Sequence, residues 1–490
     1  MASSGASTDA PARAASVEEL LITGKLFSGV PSSQLPKFDL DLYIQNYTEP
    51  GRTRLDRLLL IGKSCMPLRV DALKAAIEEA KSGRDVSQYK QAWDCIRKLA
   101  PEEPEATRDA AWIDTTEKSN KAETQRLESE LKGYKHNLIK ESIRLASCRQ
   151  PGANVVVQMG NEDLGRHFEA IGKLNEASDA YSRIRQDVSS TKHIIDCGMH
   201  LANVSLYRRD WNMVLTNTGK ITGVQSADEE QSLQTFVRVM SGIAQLSLGN
   251  YLESAKNLLL IDFAVPPAQY SHVASPNDIA VYGGLTALAT MDRAELQRRV
   301  LDNQSFRTFL EHEPHVRKAV SLFVSGRYSN CLSILESYRS DYLLDVYLQK
   351  HVRELYTRIR TKCIVQYFVP FSRITLESLE AAFGLPGQSL QDELMDMIRN
   401  DFLNARIDAR NQLLVAVQQD PRADMQKRTL DTAKKYESEA TEHLRRVSII
   451  SAGLEVVPSK VDTSGPPGQW YEDPRSMESM ENGGGDVEVA

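Results

Sequence analysis

A short string that recurs four times limits the fold of this chain more than any other feature. Gly172, Leu174, Ala177 and Tyr181 form a G-x-L-x-x-A-x-x-x-Y frame between two stretches of helical periodicity. The frame returns as Arg209, Trp211, Val214 and Thr218, then as Gly249, Tyr251, Ser254 and Leu258, and again as Gly326, Tyr328, Cys331 and Leu335. A degenerate copy lies near Met291. The intervals between positions 172, 209, 249, 291 and 326 are 37, 40, 42 and 35 residues. Periods of this size belong to helix-pair solenoids. Glycine suits the tight turn between two helices. The large apolar residue two positions later docks into the preceding helix, and stacked pairs bury a continuous core.

The frame resembles the turn and second helix of a tetratricopeptide repeat. Helical periodicity also flanks it on both sides. Apolar spacings of three and four predict helices over 41–47, 54–65, 69–81 and 86–99. Pro101 and Pro104 interrupt this series. A proline-free segment, 107–148, then places Leu127, Leu131, Tyr134, Leu138 and Leu145 on one heptad-like seam, which predicts a long helix. After a last helix pair near 346–369 the pattern changes. Residues 371–384 read as a short strand and a helix capped near Thr375 and closed at Gly384. Residues 388–401 read as a second helix, and 405–408 with 412–417 as a hairpin. Helix, helix and hairpin make a winged helix. A final helix over 422–454 carries Leu430, Ala433, Ala440, Leu444, Val447, Ser451 and Leu454 on a seam broken at Glu437. The resulting division is a disordered segment 1–36, helices over 37–105, a solenoid with a long leading helix over 106–345, a winged-helix region over 346–420, a bundle helix over 421–456 and a disordered acidic tail over 457–490.

The residues offer little to an enzyme. No HExxH or HxH pattern is present, and His312 and His315 have no third ligand in reach. Gly283 and Gly284 lack the Lys-Ser/Thr of a phosphate loop and are read as close-packing positions. His193 and Cys197 lie one helical turn apart but are flanked by Ile194, Ile195 and Met199, as on a buried face. The six cysteines stand singly in apolar helical patterns, as reduced core thiols do. Catalytic residues, metal ligands and cofactors are therefore all read as none. No apolar run approaches the length of a membrane span, and no membrane partner is expected.

A winged helix raises nucleic acid as a partner. Its second helix carries Asp392, Glu393, Asp396 and Asp401 against Arg399, and the chain's net charge is −7. Such a helix repels phosphates, so nucleic acid is not expected. The hairpin is the better surface, because an edge strand has free backbone groups for a neighbour's strand. The expected contact residues there are Ala405, Arg406, Ile407, Asp408, Asn411, Leu413 and Val415. Ile407, Leu413 and Val415 are expected to lie at the core or the edge. On the last helix Leu430, Leu444, Val447 and Leu454 are expected to meet helices of other chains.

A solenoid that ends in an acidic-faced winged helix resembles the PCI family of proteasome-lid, signalosome and initiation-factor-three subunits. Residues 277–299 (NDIAVYGGLTALATMDRAELQRR) resemble a stretch characteristic of the family of signalosome first subunits. Residues 366–370 (QYFVP), 405–408 (ARID), 68–74 (LRVDALK) and 139–144 (IKESIR) are similar to other segments of that family. The resemblance implies a right-handed solenoid, a PCI winged-helix domain and a C-terminal helix. It implies a non-catalytic scaffold in a cytoplasmic and nuclear complex that removes a ubiquitin-like modifier from cullins and so regulates cullin-RING ligases. A metalloprotease in another chain would do the chemistry. Partner PCI subunits would join through the winged helices and a shared helix bundle. The nearest rival is the related proteasome-lid scaffold.

Overall fold

The residue that opens each copy of the frame has a left-handed backbone in the computed structural model: φ is +87° at Gly172, +60° at Arg209, +82° at Gly249 and +78° at Gly326. The structure describes Leu40 and residues 51–144, 151–187, 191–223, 230–384, 389–417 and 421–454. At each turn the following N–H reaches back five positions. Lys173 donates to Phe168 O at 2.9 Å, Asp210 to Ser205 O at 3.0 Å, Asn250 to Gln245 O at 2.9 Å and Arg327 to Leu322 O at 2.8 Å. These bonds use carbonyls that the helix end leaves over, and the left-handed residue lets the chain reverse to make them. Met291 has φ −88° and lacks this turn, so the degenerate copy is joined differently.

Among the described residues three helices come first after position 50: α1 (Arg52–Ser64), α2 (Arg69–Ser82) and α3 (Val86–Leu99). The long helix α4 (Ala110–Arg144) follows. The pairs are α5 (Pro151–Ala170) with α6 (Leu174–Asp187), α7 (Thr191–Tyr207) with α8 (Trp211–Thr222) and α9 (Glu230–Ser247) with α10 (Tyr251–Leu259). Next come α11 (Pro276–Thr290), the short α12 (Arg293–Leu296) continued by a π-helical turn, and α13 (Gln304–His312). The series ends with α14 (Pro314–Val324), α15 (Tyr328–Ser337), α16 (Arg339–Leu343) and α17 (Val352–Phe368). The expected helix at 41–47, the segment 1–36, the tail 457–490, Leu145 and Cys148 lie outside the described residues.

Packing within the pairs follows the frame. The ring of Tyr181 in α6 occupies the space over Gly165 of α5, where a Cβ would fall 2.6 Å from it. Leu258 of α10 fills the same notch over Gly242 of α9, at 2.7 Å. Gly283 and Gly284 admit Phe306 and Val316 to the backbone of α11, so they are close-packing positions. One buried cluster runs from Ile195 to Leu414 and joins the solenoid from α7 onward to the winged helix, while α4, α5 and α6 pack with one face of α7 in a second cluster. On α4, Leu127 and Leu131 of the heptad seam are buried, whereas Tyr134 is 37% exposed.

Helix α1 runs along successive repeats rather than capping one. Arg52 pairs with Asp85 at 2.6 Å and donates to Glu169 O at 2.9 Å. Asp56 pairs with Arg209 at 2.8 Å. Arg57 is fully buried and donates to Asp278 at 3.0 and 3.2 Å, to Asp345 at 3.0 Å and to the Tyr282 hydroxyl at 3.0 Å. Asp278 also closes a capping box with Ser275 at the start of α11. Asp345 also accepts the N–H groups of Tyr347 and Leu348, each at 2.8 Å, and the Tyr282 hydroxyl at 2.6 Å. Burial pushes the Asp345 carboxyl up, while Arg57 pulls it down. Every oxygen of this buried pair of carboxylates therefore has a donor, which is what makes burying them tolerable.

After α17 come β1 (Arg373–Thr375), α18 (Leu376–Phe383), α19 (Leu390–Arg399), β2 (Ala405–Asp408) and β3 (Leu413–Ala416). The sheet order is β1-β3-β2, antiparallel throughout. Thr375 and Ser389 cap α18 and α19. Arg360 of α17 holds this unit to the solenoid by a two-bond clasp on Glu393, at 2.7 and 3.0 Å, and by a bond to Phe383 O at 2.7 Å. The chain divides into two compact units, residues 1–416 and 417–490. The second contains α20 (Pro421–Ser451).

Candidate assembly interface

The sheet order revises the expected edge. β3 is the central strand, so the backbone of Leu413 and Val415 faces a strand on each side. Among the described residues the free edges belong to β1 and to β2, the strand of Ala405, Arg406, Ile407 and Asp408. The core residue of β3 is Leu414, fully buried and paired in register with Ile374 and Ile407. Ala405 is buried and Ile407 half-buried against the same core. Leu413 and Val415 therefore face away from the core, which corrects the expected alternation by one position. A one-residue change of register moves every side chain of a strand to the opposite face. The run Leu413-Leu414-Val415 is apolar throughout, so alternation could not choose between the two faces.

The wing turn is fixed by Asp408. Its carboxylate accepts the N–H of Arg410 at 3.1 Å, the N–H of Asn411 at 3.2 Å and the Asn411 side-chain amide at 2.8 Å. Bonding to Asn411 lowers the Asp408 pKa below the usual carboxylate range. Gln412 completes the turn at φ +54°.

Large apolar side chains surround this region in the open. Phe402 is 62% exposed and Val369 69% exposed, and Phe371, two residues before β1, is exposed as well. Phe402 follows Asp401, whose φ of +59° ends α19 with the five-back bond seen in the repeats. The sequence reading missed these residues. A phenylalanine next to a helix-ending turn was the only signal. The solvent face of α19 carries Asp392, Met395 and Asp396, while Glu393 is held by Arg360.

On α20 the large side chains of the seam are in solvent. Leu430, Leu444, Val447 and Leu454 are all exposed, and so are Met425, Tyr436 and Ile450. Gly453, two residues past the end of the helix, has φ +65°, and Leu454 N donates to Ile449 O at 3.1 Å.

The residues that raised enzymatic readings have structural surroundings. His315 stacks on Tyr338 at 3.8 Å and meets the Tyr342 hydroxyl at 2.7 Å. His312 lies against Phe263. Cys197 is buried and donates to Tyr181 O. Among the described residues no three His, Cys, Asp or Glu side chains gather as a metal site. No described helix is long and apolar enough to cross a membrane.

Two family models match the chain: 26S proteasome subunit RPN7 over residues 152–299 and PCI domain over 335–417. The COP9 signalosome complex subunit 1 of Neurospora crassa is 48% identical over 411 residues, which cover 84% of this chain and 90% of the relative. The chain belongs to the COP9 signalosome subunit 1 family. The Arabidopsis thaliana member of that family is 34% identical, with the same coverage of 84% and 90%. The 26S proteasome regulatory subunit RPN7 of Saccharomyces cerevisiae is 24% identical over 51% of this chain and 58% of its own length. The likeness to signalosome subunit 1 thus extends through the chain, and the likeness to the lid subunit spans about half of it. The PCI match ends one residue after β3, so the whole winged helix lies inside it and α20 lies beyond it.

Proposed function

We propose that this chain is a scaffold subunit of the COP9 signalosome, without catalytic residues of its own. It supports removal of a ubiquitin-like modifier from cullins by a metalloprotease in another subunit, and so regulates cullin-RING ligases in cytoplasm and nucleus. The observation that carries this reading is the 48% identity over 84% of the chain to a signalosome subunit 1. The geometry fits a scaffold. One core joins the repeats from α7 onward to the winged helix, so a load on the wing is passed to those repeats. The edge strand β2, with Arg406 and Asn411 exposed beside it, suits pairing with a neighbouring PCI subunit. The exposed seam of Leu430, Leu444, Val447 and Leu454 suits a helix bundle shared among subunits. The test is to purify the tagged full-length chain from its own cells and identify what accompanies it. The expected result is a set of signalosome subunits, with cullin-directed activity in the complex and none in the chain alone. Recovery of proteasome-lid subunits instead would overturn the reading.

A further inference from the structure

The outer face of the winged-helix sheet has a composition that an edge-pairing strand does not need. Residues paired in register across a sheet share a face. Arg373, Val415 and Arg406 form one row across the three strands, and Thr375, Leu413 and Asp408 form the next. The opposite face carries Ile374, Leu414 and Ile407 into the core. Two apolar side chains thus stand on the central strand of the outer face, with an arginine on each flank. Thr375 is occupied in capping α18 and Asp408 in fixing the wing turn. Arg373 and Arg406 are exposed, and neither forms an ion pair among the described residues. Neighbouring strands lie about 4.8 Å apart, so the two arginine backbones are separated by about 10 Å. That is about the width of an α-helix with its side chains.

We propose that this face is a docking platform for an amphipathic helix of another subunit, one whose apolar stripe is flanked on both sides by carboxylates. The stripe lies on Leu413 and Val415, and Arg373 and Arg406 each reach a carboxylate at its margin. Nucleic acid fits the surface less well, because apolar Leu413 and Val415 occupy its centre and two arginines neutralise few phosphates. This inference rests on the reading that the winged helix is an assembly surface. It does not depend on which complex is assembled.

Photocrosslinking tests it in the assembled complex. A p-benzoylphenylalanine replaces Val415 in the tagged full-length chain, the complex is isolated and irradiated, and the attached peptide is sequenced. The expected product is a peptide from another subunit with acidic residues on both sides of an apolar helical stripe. The paired substitution Arg373→Glu and Arg406→Glu should weaken assembly by at least about tenfold, more at low salt than at high. Arg399→Glu, on α19 outside the sheet, should not. The milder pair Arg373→Gln and Arg406→Gln repeats the comparison if the reversal harms folding, as read from the melting temperature of the free chain. An intact complex that yields no crosslink, a crosslink to nucleic acid, a peptide without flanking acids, or assembly indifferent to both arginine pairs overturns the inference. Any of these leaves membership of the signalosome standing. An acidic helix captured from a proteasome-lid subunit would do the reverse.

Discussion

Arg57 of α1 and Asp345, ahead of α17, are 288 residues apart in sequence, and their side chains meet at 3.0 Å away from solvent. The contact ties the N-terminal helices to the far end of the solenoid. Losing one member of a buried charge network leaves the others unpaired and costs about 3–5 kcal/mol. Arg57→Met should therefore lower stability by that amount in urea titrations. It should also expose the connection between α3 and α4 to limited proteolysis. Adding Asp278→Asn and Asp345→Asn should recover part of the loss, because the uncompensated carboxylates are then gone.

Arg209 stands where three other copies of the frame have glycine, and it keeps their backbone at φ +60°. Its side chain compensates by pairing with Asp56 and by lying over the Tyr347 ring at 5.5 Å. Arg209→Ala and Arg209→Gly remove the same contacts. Only alanine keeps the left-handed strain, so the glycine variant should be the more stable of the two by about 1 kcal/mol. Equal melting temperatures would mean that the strain is absent.

His272 gives the chain an acid-sensitive element. Its ring stacks on Phe236, and its Nε2 lies 3.1 Å from Asn203 Oδ1. Burial pulls its pKa down to about 4, from about 6.5 when unfolded. Between those values the unfolded chain holds the extra proton, so stability is full above pH 6.5 and falls as pH drops toward 4. The difference amounts to about 3 kcal/mol across the window. His167, His200 and His351 are shifted in the same direction by burial and add to the trend. Urea midpoints for His272→Asn should decline less steeply over that interval than those of the parent. An unchanged slope would assign the acid response to other groups.

Leu444 and Val447 of α20 are 67% and 62% exposed in the single chain. Changing both to aspartate removes little buried area, so thermal unfolding of the free chain should be nearly unchanged. Within a bundle each would bury about 1.5–3 kcal/mol of apolar surface, so the double variant should leave its complex. Size-exclusion chromatography of the purified assembly distinguishes retention from release.

The solenoid was legible because its turns repeat a chemical demand. A left-handed residue and a docking side chain two positions later recur at each turn. Thr375 and Gly384 marked α18 for the same reason, since caps are local. The wing was legible as a hairpin but not in its facing, because strand order and register depend on β1, which pairs with β3 from about forty residues away in the chain. The Arg57 network left no trace in the sequence. One arginine in an amphipathic helix looks like any surface arginine until carboxylates from two distant elements surround it. The unlike frame residue Arg209 was visible as an exception, but its partner Asp56 was not.

The reach of α1 along the repeats also sets an order on synthesis. A ribosome adds about 5–20 residues per second, so Arg57 emerges roughly 15–60 s before Asp345 exists. During that interval α1, α2 and α3 can settle on their own apolar cluster, which includes Leu55, Leu58, Leu73 and Tyr89. The guanidinium must stay hydrated meanwhile, and the cluster still lacks Leu344, which also arrives late. The N-terminal helices therefore wait as a partly finished piece, and the last repeat completes them. A nascent chain stalled before residue 345 should hold them loosely, and one released beyond it should hold them fast.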